Sequence, residues 1–66
     1  MRIIMNIKKI RKDKKVTLSM LQKKSGVSIT HINDIENNYK IPSIIIAEKI
    51  AKALDVRVVD LYIIDN

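Results

Sequence analysis

Ile29, Thr30 and Asn33 are the grouping in this chain with the most suggestive chemistry: an aliphatic, a hydroxyl beside a methyl, and a carboxamide within one short stretch. Such groups recognise other molecules rather than make or break covalent bonds. A carboxamide on a helix can hold the donor–acceptor edge of adenine through two hydrogen bonds, and the methyls of Ile29 and Thr30 can meet thymine methyls. Ser28, just upstream, suits a helix cap and, with the helix N-terminus, a place for a phosphate. Asp34 fits less easily, because a carboxylate facing DNA repels phosphate unless it accepts from a cytosine amino group or pairs with a nearby lysine. An intramolecular pair is expected for it. Ile29, Thr30, Asn33 and Asp34 are the expected base-contacting set, with a lean toward A·T-rich sites.

The remaining composition narrows the alternatives. No pair of carboxylates, nucleophile with base, or phosphate-cradling glycine loop stands at a spacing that catalysis needs, so no enzyme activity and no cofactor are expected. With no cysteine and the single histidine His31, a transition-metal site of usual composition is not expected either, and His31 is read as a half-buried helix residue. Lys plus Arg outnumber Asp plus Glu by 13 to 7, a net charge of +6 that favours polyanionic partners. The apolar start, Met1 to Ile10, is broken by Arg2, Asn6, Lys8 and Lys9 and reads as neither a signal peptide nor a membrane span. A cytoplasmic protein without membrane contact is the expectation.

Elements able to position these groups follow from sparse punctuation. Sixty-six residues predict one domain, 1–66, whose core is marginal unless well packed or completed by a partner. A first helix is predicted from about Met5 to Lys14, with Ile7 and Ile10 inward. Thr17 caps a second, in which Leu18 and Leu21 face inward and which ends at Gly26, suited to a left-handed turn. Ser28 caps a third with Ile32 and Ile35 inward, and Asn37 and Asn38 stop it, asparagine being tolerant of positive φ. The helix-turn-helix thus spans about 17–37 and its outward-reading helix about 28–37. A fourth helix from Ser43 to Leu54 places Ile44, Ala47, Ile50, Ala51 and Leu54 on one stripe, and Val56, Val58 and Leu61 predict a short fifth. The architecture is all-α, five helices, with an optional ribbon pairing Arg2–Met5 with Leu61–Asp65.

Val16, Thr17, Leu21, Gly26, Val27, Ser28, Ile32, Ile35, Glu36, Asn37, Pro42, Ser43 and the tail IAKALDV fall in the register of one known family. The chain resembles the lambda-repressor-like proteins, the Cro, cI and xenobiotic-response-element regulators, over nearly its whole length. That resemblance implies a double-stranded DNA partner, a transcriptional role, most often repression, and a salt bridge between Arg11 and Glu36 in which the arginine also reaches a phosphate. Three residues depart from the family pattern. Leu18 stands where a glutamine often touches DNA, so that contact is either missing or passed to Ser19; Gln22 replaces a small alanine, so its amide must turn outward or find a partner; Asn38 replaces a glycine. Lys23, Lys24 and Lys40 flank the proposed docking face as phosphate clamps, and Ser28, Asn37 and Tyr39 can add polar contacts.

Surplus apolar residues give a second functional clue. Ile45, Ile46, Val59, Tyr62, Ile63 and Ile64 exceed what the helical core requires, and they are the expected seam of a homodimer reading two half-sites. The competing function is a protein-interaction module, such as an antitoxin-like or regulator-binding partner, whose binding would depend far less on salt.

Overall fold

The computed structural model describes residues 2–65. In chain order these form β1 (Arg2–Met5), α1 (Ile7–Asp13), α2 (Leu18–Ser25), α3 (Ile29–Glu36), α4 (Ile44–Leu54), a single 3-10 turn (Val58–Leu61) and β2 (Tyr62–Asp65). Three of the helices start on hydroxyl caps. Thr17 Oγ1 accepts from Met20 N–H at 3.0 Å, Ser28 Oγ from His31 N–H at 3.2 Å, and Ser43 Oγ from Ile46 N–H at 3.2 Å. Each satisfies an amide that has no partner inside its helix.

The inward residues of every helix meet in one core. Ile7, Leu21, Ile32, Ile35, Ile50, Leu54 and Leu61 are fully buried, joined by Ala47, Ala51, Val16 and Val27. Around them the ribbon closes the molecule: β1 and β2 pair antiparallel, with Ile3 opposite Ile64, Ile4 opposite Ile63 and Met5 opposite Tyr62. Period-two alternation sends Met5 and Tyr62 toward the core, Met5 buried and Tyr62 partly so.

Three expectations about the elements are corrected. There are four α-helices rather than five among the described residues, since only the 3-10 turn Val58–Leu61 forms near the end. Asp55 takes the left-handed conformation at φ 57 and ends α4, Tyr62 is already extended, and the β-branched pair Val58 and Val59 lies in the short interval between them. The first helix begins at Ile7, not Met5, because Met5 belongs to β1 and the Asn6 N–H donates to Leu61 O at 2.7 Å. Ile44 does not belong to the buried stripe; it is 78% exposed. It is the first residue of α4, and because helical side chains lean toward the N-terminus, Ile44 projects past the edge of the core. Ile46 packs against the core in its place.

Candidate nucleic-acid interface

The turn between α2 and α3 is held at three points. Gly26 sits at φ 77 with nothing within 4 Å of where a Cβ would stand, so glycine is required there for conformation and not for space. Its N–H donates to Gln22 O at 2.8 Å. Ser25 Oγ donates to Leu21 O at 2.6 Å and accepts from Val27 N–H at 3.1 Å, tying the turn to buried Val27. The Gln22 carboxamide reaches across the turn, its Oε1 accepting from the Ile29 N–H at 2.8 Å. Of the two outcomes expected for this amide, turning outward or finding a partner, it takes the second: the partner is the first residue of α3.

Thr30 and Asn33 stand exposed on α3 at a spacing of three, with Ile29 half-buried at its start and exposed Ser28 capping it. The far end is braced by Asn37, whose Nδ2 donates to Asn33 O at 2.9 Å and meets Asn33 Oδ1 at 3.3 Å. Asn33 thus enters any contact with its carboxamide already oriented. Lys40 Nζ lies 3.6 Å from Asp34 Oδ2, which gives Asp34 an intramolecular partner and leaves most of the lysine exposed. Ser19, Lys23, Lys24, Asn37 and Tyr39 are exposed, and His31 is half-buried.

Arg11 and Glu36 form a buried forked pair between α1 and α3. Arg11 Nε stands 2.7 Å from Glu36 Oε2 and Nη2 3.2 Å from Oε1, while Nη1 donates to Val16 O at 3.0 Å. Both carboxylate oxygens and all three guanidinium nitrogens are engaged, and the side chains are only 10% and 3% exposed. Three of the five guanidinium N–H donors are thereby spent within the protein. The arginine's work is to fix α3 against α1.

Lys15 and Asp55 are also left-handed; aspartate, like asparagine, tolerates that conformation, whereas Lys15 carried no signal in the sequence. Asn38, at φ 62, does more than tolerate its turn: its Oδ1 accepts from Met5 N–H at 3.1 Å and links the end of α3 to the ribbon. A short polar side chain at a position usually held by glycine was the only available sign. Among the described residues no group of three or more metal-ligating side chains gathers, and no helix is long and apolar enough to cross a membrane.

A helix capped at its start, braced at its end and bearing recognition groups outward is the reading element of a helix-turn-helix protein. Residues 7–61 match the helix-turn-helix family model, and the chain belongs to that family of Cro/cI-like, DNA-binding transcription regulators. The N-terminal DNA binding domain of SinR from Bacillus subtilis is similar at 42% identity and TM-score 0.74, over 80% of this chain and 78% of that one. The clp gene regulator ClgR from C. glutamicum is 31% identical with TM-score 0.76, over 82% and 70%. The restriction-modification controller protein C.AhdI from Aeromonas hydrophila shares the fold, with TM-score 0.79 and 22% identity over 83% of each chain. No curated protein matches the chain.

Proposed function

We propose that this single domain binds double-stranded DNA sequence-specifically as a homodimer, laying α3 in the major groove of each half-site and repressing transcription by occupying the site. The observation that carries this reading is the outward face of α3, where Thr30 and the pre-oriented Asn33 stand exposed on a helix held at both ends. In this arrangement Asn33 pairs with an adenine edge, and Ile29 and Thr30 meet thymine methyls. Asp34, balanced by Lys40, tolerates the phosphate field and accepts from a cytosine where one is present. Lys23, Lys24 and Lys40, with Ser19, Ser28, Asn37 and Tyr39, fix register on the backbone.

Ile45, Val59, Ile63 and Ile64 are all exposed, whereas Ile46 and Tyr62 pack, partly buried, against the chain's own core. A second copy covering this surface would set the two reading helices about 34 Å apart, one turn of DNA. Repression by occlusion needs only occupancy of the site.

Fluorescence anisotropy tests the reading with a duplex from upstream of the chain's own gene and a scrambled duplex, each at two salt concentrations. Salt-sensitive binding that prefers the upstream duplex is expected, with the logarithm of affinity falling by about 0.9 per decade of salt for each phosphate neutralised. Absence of binding to either duplex at low salt would overturn it in favour of a protein partner.

A further inference from the structure

We infer that Gln22 is a positioning residue for DNA reading, acting through the first amide of α3 to fix how that helix enters the groove. The inference rests on the proposed role of α3. Ser28 Oγ satisfies the third amide of the helix, His31 N–H, and Ser28 O accepts from the fourth, Ile32 N–H, at 2.9 Å. That leaves the first two amides outside the ordinary capping scheme. Gln22 takes the first. Its Oε1 lies 2.8 Å from Ile29 N, seven residues further along the chain, and the oxygen must be the atom that faces the amide because an amino group there would set hydrogen against hydrogen.

The consequence is mechanical. Gly26 makes the turn conformationally permissive, and nothing crowds it within 4 Å. The hydrogen bonds of Ser25 and of Gly26 N–H hold the start of the turn to α2. The Gln22 carboxamide alone, among the described hydrogen bonds, runs from α2 to the first residue of α3 itself. Ile29 is also the first of the proposed base-contacting residues, so the bond fixes a backbone position directly beneath a reading side chain. An alanine here, the usual residue in similar proteins, has no acceptor to offer. The departure at Gln22 therefore adds a brace.

Two substitutions separate bracing from mere presence. Gln22→Ala removes the acceptor; Gln22→Glu keeps an acceptor for the Ile29 amide and adds a charge that weakens binding to any DNA alike. The ratio of affinities for the upstream and scrambled duplexes is the readout, together with hydrogen exchange of the Ile29 amide measured on the free protein. Gln22→Ala should lower the ratio about fivefold, the size of one hydrogen bond, and speed Ile29 exchange. Gln22→Glu should lower both affinities yet restore the ratio and the protection. An unchanged ratio in Gln22→Ala, or an equal fall in Gln22→Glu, would overturn the role. A wild-type ratio of one would instead overturn the reading of α3, and with it this role, while Ile29 exchange would still report whether the brace forms.

Discussion

Removing one partner from a buried ion pair costs more than the pair itself contributes, because the remaining charge stays desolvated. Glu36→Ala would strand the Arg11 guanidinium, whose side chain is only 10% exposed, and should destabilise the fold by about 3–5 kcal/mol in urea denaturation. Replacing both with apolar residues of similar volume, Arg11→Met with Glu36→Leu, should cost far less; equal losses in the single and the double variant would show that the pair's charge is not what matters. Asn33 makes a different kind of contribution. Its carboxamide is exposed and braced by Asn37, so Asn33→Ala should leave the melting temperature almost unchanged. It should instead cost about 1–3 kcal/mol of discrimination at one base pair, read as a loss of preference among duplexes that differ only there.

Helix ends and turns decide how faithfully those residues are presented. Ser43→Ala removes the acceptor for Ile46 N–H at the start of α4 and should cost about 1 kcal/mol in thermal or urea unfolding, with DNA preference untouched because α4 carries no proposed base contact. Asn38→Gly isolates one of the residue's two roles: glycine keeps φ 62 without strain but abandons Met5 N–H, so faster exchange of the Met5 amide is expected, and unaltered exchange would show that the bond is not formed in solution. The three hydroxyl caps, the Gly26 turn and the Ile32–Ile35 spacing were legible because each is a local rule written in residue type. So was the ribbon, through its β-branched runs. The start of α1 was not, because Met5 has the right period for a helix and is claimed instead by Tyr62 and Asn38, both far away in sequence. Ile44 misled for a related reason, since periodicity specifies a face but not how far the core extends along it. At the interface the residue types on α3 could be read directly, whereas the inward turn of Arg11 and the reach of Gln22 depend on how neighbouring helices meet.

At the scale of the molecule, 33 × 20 × 18 Å in extent, charge and apolar surface serve different ends. The net charge of +6 favours approach to DNA, while the exposed isoleucines of the ribbon and α4 call for a cover. Sedimentation at micromolar concentration should give about twice the 7.6 kDa of one chain, and Ile64→Lys, at a residue 60% exposed, should return the mass to 7.6 kDa without unfolding it. A wild-type mass of 7.6 kDa would remove the dimer. The ribbon also has a place in time. Arg2 faces Asp65, so the strands are joined only through the whole helical body, and meeting before the helices dock would carry the loop entropy of nearly the entire chain. The clasp is therefore expected to fasten last and open first, its amides exchanging ahead of those in α2 and α3; equal or slower exchange would reject that order. Each opening would free Asn38 from Met5 yet leave the reading helix moored at bow and stern, by Gln22 at Ile29 and by the Arg11 pair at Glu36.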